Sequence, residues 1–297
     1  MIKKSGIITL CGRPNVGKST LTNALVGEKV AIVTHKPQTT RNRICGIRNR
    51  GESQFVFVDT PGLHKARTCL GDYMVNVIKE SVAGVDAVLL LVEPVPNVGE
   101  PERQLIHRVK ALGCPAVLAI NKTDVLERKE KLLEVIRVYS AEHDFGAVVP
   151  ISAKTGQGVE ELLDVLEGYL PEGPQLFPED TTSDQPEQQM MAELLREKLL
   201  LLLDKEIPHG TAVEITRFSE RDDGIVDVEA TIYCEKNSHK GIIIGKGGGL
   251  LKKASTLARH DMERFMGAKV FLKTWVKVKE NWRDNPAAIQ NFGYTSE

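Results

Sequence analysis

A doubly wound α/β domain with a mostly parallel sheet, followed by a smaller α+β domain, is the architecture this sequence predicts. Three observations carry it. Beyond a first strand, the runs Phe55-Val56-Phe57-Val58-Asp59, Ala87 to Val92, Pro115 to Ile120 and Ala147 to Ile151 are almost continuously apolar, as expected where helices cover both faces of a sheet. Helical patterns near 69–83, 100–112, 128–143 and 158–170 alternate with them, and such alternation builds strand–helix–strand units. Residues 171–187 then turn rich in Pro, acids, Ser and Thr, a linker composition, and the pattern changes beyond them. The expected units are 1–170, a linker at 171–187, and 188–297.

The chain of 297 residues suits two domains at about 150 residues each. Its 41% hydrophobic and 27% charged content is that of a globular protein. No run approaches the roughly 20 apolar residues of a membrane helix, and the N-terminus shows no signal-peptide pattern. The cysteines at 11, 45, 69, 114 and 234 are scattered and lack CxxC spacing. A reducing, cytoplasmic location is expected, without a disulfide or zinc framework. The net charge of −1 hides an asymmetry: from Lys236 to Arg283 there are twelve Lys/Arg against three acids, Asp261, Glu263 and Glu280. Such a basic tract points to a polyanionic partner.

Taken in order, the first strand, Gly6-Ile7-Ile8-Thr9-Leu10-Cys11, runs into Gly12-Arg13-Pro14-Asn15-Val16-Gly17-Lys18-Ser19 and then a helix ending at Gly27. Strand, GxxxxGK(S/T) loop and helix form the context of a phosphate-binding loop. Its N–H groups and the helix N-terminus favour phosphate. The candidate nucleotide contacts are Gly12, Asn15, Val16, Gly17, Lys18, Ser19 and Thr20, with Lys18 reaching the β- and γ-phosphates and Ser19 offering a hydroxyl to Mg²⁺. After the next apolar strand comes Asp59-Thr60-Pro61-Gly62. Asp59 is placed to hold Mg²⁺ and the Gly62 N–H to meet a γ-phosphate. The polar stretch Lys36 to Arg41 lies between these motifs.

Asn121-Lys122-Thr123-Asp124 follows the strand at 115–120. A carboxylate at Asp124 accepts from the ring N1–H and the 2-amino group of guanine; adenine has neither donor and would leave it unpaired. Asn121 fixes the loop, Lys122 lays its stem over the base, and Ser152-Ala153-Lys154 presents a backbone N–H to the guanine oxygen. In this order the motifs select GTP over ATP. The first 170 residues resemble a translation-factor-class small GTPase. That resemblance implies a magnesium threonine in the 36–41 stretch, Thr40, and a catalytic group of Lys18, Thr40, Gly62 and Asn15. One departure from Ras-like enzymes is Leu63, where they carry a water-orienting glutamine. The chain is similar to the hydrophobic-substituted GTPases, in some of which an asparagine equivalent to Asn15 coordinates K⁺.

Beyond the linker the order reads helix from Gln188 to about Asp204, strands Thr211–Glu220 and Ile225–Cys234, two helices around the glycines at 245–249, and a strand Lys269–Lys279. Gly245-Lys246-Gly247-Gly248 is a GxxG loop, where a nucleic-acid backbone can approach closely. With Ile242, Gly245, Lys246, Gly247, Gly248, Lys252 and Lys253 as candidate RNA contacts, this part resembles a type II KH domain. Trp275 and Trp282 are further aromatic candidates, Trp275 by its alternation more suited to packing. A phosphate-loop GTPase domain joined to such a module resembles, over essentially the whole chain, the Era family of bacterial ribosome-assembly GTPases. The resemblance implies binding to the 3′ end of small-subunit ribosomal RNA and action on the small ribosomal subunit; a monomer is expected. GTP would order the loops at 33–43 and 59–72. Two other classes stay open: an RNA-modifying enzyme, against which no methyl-donor or catalytic cysteine pattern is found, and a GTPase peripheral to the inner face of the membrane. Lipid attraction needs charge but no GxxG loop.

Overall fold

A computed structural model describes residues 2–62, 68–81, 84–128 and 130–294. The chain divides into two compact units. The first is made of residues up to Ala31, of Thr40 to Gly62 and of Met74–Asp184; the second holds Ile32–Thr39, residues 68–73 and the chain from Gln185 onward.

The first unit is a six-stranded sheet in the order β2-β3-β1-β4-β5-β6. Its strands are β1 (Lys4–Gly12), β2 (Ile44–Arg50), β3 (Ser53–Asp59), β4 (Ala87–Val92), β5 (Ala116–Ile120) and β6 (Ala147–Pro150). All pairings are parallel except β2 with β3. Side chains alternate across the sheet. Ile8, Leu10, Phe55, Phe57 and Leu89 pack with Leu21 and Leu25 of α1 (Lys18–Val26) and Leu162 and Leu166 of α5 (Val159–Glu167). Val88, Leu90, Leu118 and Ile120 face the other way, onto Leu105 and Val109 of α3 (Glu100–Leu112) and Val135 of α4 (Glu130–Ser140). Two covered faces are why these strands read as unbroken apolar runs. Each fully buried Leu or Phe contributes roughly 1.5–3 kcal/mol.

β2 was not among the expected strands, because Arg48, Asn49 and Arg50 give it a polar end. It is an edge strand, and the edge is covered. The segment read as a linker lies along it: the Ile47 N–H donates to the Thr182 carbonyl (2.9 Å) and the Cys45 N–H to Asp184 Oδ1 (3.0 Å). Gln54 Oε1 accepts from the N–H groups of Leu176 (2.8 Å) and Phe177 (2.9 Å). A covered edge offers no ladder for another chain to extend.

The second unit contains α6 (Glu187–Leu202), β7 (Ala212–Glu220), β8 (Val226–Cys234), α7 (Asn237–Ile244), α8 (Gly249–Met266), β9 (Val270–Val278) and α9 (Pro286–Asn291), with α2 (Cys69–Glu80) beginning in it. β7 and β8 run antiparallel, and β9 adds parallel to β8. Its core joins Leu194, Leu195 and Leu199 of α6 to Val228 and Ile232 of β8 and to Ala254, Ala258 and Met262 of α8. The expected α-β-β-α-α-β order is present, and α9 is an addition to it.

Candidate functional site

The phosphate loop is the turn between β1 and α1, and its conformation depends on glycine. Gly17 sits at φ 102°, where an L side chain is strained, and a Cβ there would collide with Asn121 Nδ2. Lys18 is buried and curls back so that Nζ donates to the carbonyls of Gly12 and Arg13, both at 3.2 Å. Thr20 follows in the first turn of α1, half-buried, and no acid lies in that turn to oppose an anion. Gly62 lies beside the loop: a Cβ would come within 2.9 Å of Pro14 Cα.

Three oxygens converge beneath. Ser19 Oγ donates to Asp59 Oδ2 at 2.6 Å and lies 2.8 Å from Thr40 Oγ1. Asp59 is 0% exposed, and its Oδ1 has no hydrogen-bond partner among the described residues. Burial pushes the Asp59 carboxyl above its ordinary range, against the opposing charge of Lys18 and hydrogen bonds from Ser19, the Thr60 N–H and Thr40. Burial likewise lowers Lys18, which Asp59 pulls back. A buried lysine and a buried carboxylate with an orphaned oxygen make a site that lacks charge of both signs. An anionic phosphate on Lys18 and a hard cation on the three oxygens would supply them. Among the described residues no cluster of His, Cys, Asp and Glu offers another metal site.

The base-side loops tie themselves to the phosphate loop. Asn121 Nδ2 donates to the Val16 carbonyl (2.8 Å) and Lys122 Nζ to the Asn15 carbonyl (2.8 Å). Asn15 and Lys122 both stand in the left-handed region, at φ 63° and 62°. Ser152 Oγ donates to Asp124 Oδ1 (2.8 Å), orienting an exposed carboxylate whose other oxygen stays available. The Ala153 N–H donates to Asn121 Oδ1 at 2.9 Å, so a base oxygen would share that donor; Lys154 beside it is exposed. Two residues escaped the sequence reading. Glu93, an acid at the end of β4, pairs with Lys122 Nζ. Glu102 of α3 pairs with Arg13 at 2.8 Å. Leu63 lies outside the described residues.

The GxxG loop joins α7 to α8. Gly245 is confined, since a Cβ would lie 2.8 Å from Leu250 Cβ, but Gly247, Gly248 and Gly249 face open space. Lys246, Lys252 and Lys253 are exposed around it. The isoleucines divide the work: Ile243 is core, Ile244 half-buried, and Ile242 48% exposed beside the loop. The tryptophans are the reverse of expectation. Trp282 is fully buried with Nε1–H donating to the Gly210 carbonyl (2.9 Å), while Trp275 on β9 is 43% exposed.

A guanine-type loop set, a phosphate loop and a magnesium-type oxygen cluster define the first unit as a GTPase domain; the GxxG loop on a three-stranded sheet defines the second as a KH domain. Family models agree: that of the 50S ribosome-binding GTPases matches residues 7–122, and that of the KH domain 206–283. The chain is 49% identical to GTPase Era of Ruminiclostridium cellulolyticum, over 99% of this chain and 98% of that protein. It is 48% identical to GTPase Era of Clostridioides difficile over 99% of each. A crystal structure of an Aquifex aeolicus Era variant bound to GDP·AlF4⁻ superposes with a TM-score of 0.95 at 36% identity, covering 99% of this chain and 100% of that one. Era in complex with MgGDPNP and nucleotides 1506–1542 of 16S ribosomal RNA gives 0.95 at 35% identity, with the same coverage. The chain belongs to the Era family of GTPases. It hydrolyses GTP.

Proposed function

We propose that this GTPase is a nucleotide-controlled RNA switch: its KH domain binds the 3′ end of small-subunit ribosomal RNA, and its GTP cycle assists small-subunit assembly. The observation that carries this reading is the open GxxG loop, ringed by Lys246, Lys252 and Lys253, in the same chain as a guanine-nucleotide site. A relative matching 99% of the chain has been solved with both kinds of ligand.

In this reading Lys18 and the loop N–H groups hold the β- and γ-phosphates, and the Gly62 N–H donates to the γ-phosphate. Ser19, Thr40 and Asp59 offer their oxygens to Mg²⁺, which neutralises charge developing between the phosphates. Asp124 reads the guanine N1–H and 2-amino group. Leu63 has no hydrogen-bonding group with which to orient water. By its resemblance to the hydrophobic-substituted GTPases, Asn15 would hold a K⁺ beside the phosphates, where positive charge would favour the transition state. Turnover is expected several-fold faster in KCl than in NaCl; equal rates would remove Asn15 and K⁺ from the mechanism.

The RNA assignment is tested with short single-stranded RNAs at fixed salt, measured with GDP and with a non-hydrolysable GTP analogue. Gly247 stands at φ 56° with nothing within 4 Å of a Cβ, and Asp is among the residues that tolerate this conformation. Gly247→Asp therefore folds and sets a carboxylate against the ligand backbone. Its RNA affinity should fall by on the order of tenfold or more, and wild-type affinity should depend on the nucleotide. Binding indifferent to both would leave only a basic surface.

A further inference from the structure

Helix α6 buries three charged residues, Glu193, Arg196 and Glu197, among the leucines of its core. Such burial is unfavourable unless every charge is held, and a helix packed on α8 and β7 gains nothing from it. What these side chains hold is the segment Ile32–Thr39, which clusters with α6 in the second unit.

Arg196 is 0% exposed. Its Nε donates to Glu193 Oε1 (2.8 Å) and its Nη2 to Glu193 Oε2 (2.5 Å), which fixes the guanidinium plane. The same Nη2 donates to the Thr39 carbonyl. The next residue, Glu197, accepts from the Val33 N–H at its Oε1 (2.9 Å), while its other oxygen is paired with Lys198 at 2.6 Å. At the end of α6, Lys36 Nζ donates to the Leu203 carbonyl and lies 3.5 Å from Asp204 Oδ1. The segment is also closed on itself: Thr39 Oγ1 donates to the Lys36 carbonyl (2.7 Å) and lies 2.6 Å from Thr34 Oγ1. It is a stiff strap held at residues 33, 36 and 39.

The residue after Thr39 is Thr40, whose hydroxyl is 2.8 Å from that of Ser19. The Thr39 carbonyl and the Thr40 N–H share one peptide plane. Orienting that carbonyl orients Thr40. The geometry points to Arg196 and Glu197 as positioning residues for GTP: from the KH-domain helix they hold the Ile32–Thr39 strap so that Thr40 is set for the metal beside the γ-phosphate. This rests on the reading of Thr40 as a magnesium ligand. Because coupling is reciprocal, whatever displaces the strap from α6 also loosens the GTP state.

Arg196→Met keeps the bulk and removes the donors; Arg196→Lys keeps the charge and loses the fork. The full-length chain is measured with Mg²⁺ for affinity to GDP and to a non-hydrolysable GTP analogue, and for amide hydrogen exchange over residues 32–41. Residues that orient a metal ligand typically account for 10–100-fold in metal affinity or activity. Arg196→Met should therefore weaken the GTP analogue by about tenfold and leave GDP within about twofold. Exchange over 32–41 should become as fast with the analogue as with GDP, and Arg196→Lys should recover part of the loss. In the double variant with Thr40→Ala, Arg196→Met should add nothing further. Equal losses for GDP and the analogue, no loss for either, or additive effects in the double variant would overturn the assignment. If Thr40→Ala alone leaves analogue affinity intact, it is the Thr40 reading that fails. Should Arg196→Met not fold, Lys36→Ala releases the strap at its half-buried middle, and selective weakening of the analogue is again the expected result; unchanged selectivity overturns it.

Discussion

The phosphate loop and the GxxG loop are both glycine-rich turns that open a helix, yet they are built in opposite ways. The first is bonded from every side: Lys18 returns to the Gly12 and Arg13 carbonyls, Asn121 holds Val16 and Lys122 holds Asn15. The second closes on its own backbone, with the Gly248 N–H on the Gly245 carbonyl at 3.1 Å, and beyond Gly245 its glycines face open space. The difference follows from the ligands. Phosphates and a purine have fixed donors and acceptors at fixed distances, which repays pre-organisation. A single-stranded backbone is long, flexible and read by shape, so its loop needs room and charge more than rigidity.

The largest test of the rigid side is Asp124→Asn. It replaces the acceptor of two guanine hydrogen bonds with an amide that donates, leaving buried groups of the base unpaired. Preference for guanine over xanthine nucleotides should shift by roughly 10⁴, since sites built on such bonds discriminate by 10⁴–10⁵. Competition binding with the two diphosphates checks it, and an unchanged preference would detach Asp124 from the base. A smaller effect is expected at Lys18. Lys18→Met removes the charge meant for the phosphates and should slow single-turnover hydrolysis by about 10²–10³. The nucleotide-free protein should melt close to wild type, because losing the buried ammonium removes its desolvation cost while Asp59, whose carboxyl burial already raises, can take up a proton instead of staying as an unpaired charge. Loss of turnover with lowered apo stability would make Lys18 structural.

The same contrast explains what could be read before any coordinates. The order of motifs around the nucleotide was legible because each depends on residue types that the chemistry restricts: a glycine at Gly17, a lysine at 18, acids at 59 and 124. Their partners were not. Glu93 and Glu102 are ordinary acids until the ends of β4 and α3 bring them to Lys122 and Arg13. β2 went unseen because an antiparallel edge strand needs no unbroken apolar run. Trp275 and Trp282 exchanged roles for a local reason: Trp275 alternates onto the uncovered face of β9, whereas Trp282 follows the strand and folds back to the Gly210 carbonyl. The polar stretch Lys36 to Arg41 was legible as a nucleotide-sensing loop, but its anchoring was not, since the anchors lie more than 150 residues away, as between Thr39 and Arg196, 157 positions apart.

The open side of the comparison calls for a gentler perturbation. Lys252 and Lys253 are exposed on the first turns of α8, beside the GxxG loop, and a lone exposed lysine ordinarily contributes little. If both lie against RNA phosphates, each neutralised phosphate steepens the salt dependence of binding by about 0.7 in the log–log slope for a single strand. Lys252→Ala with Lys253→Ala should therefore flatten that slope by about 1.4 and weaken all short RNAs by a similar factor, with sequence preference intact. A flattened slope with retained preference would divide the KH surface into residues that attract and glycines that admit the strand. If instead the slope held and the preference changed, the two lysines would be reading bases, and the domain would be more like the nucleotide site than its open loop suggests.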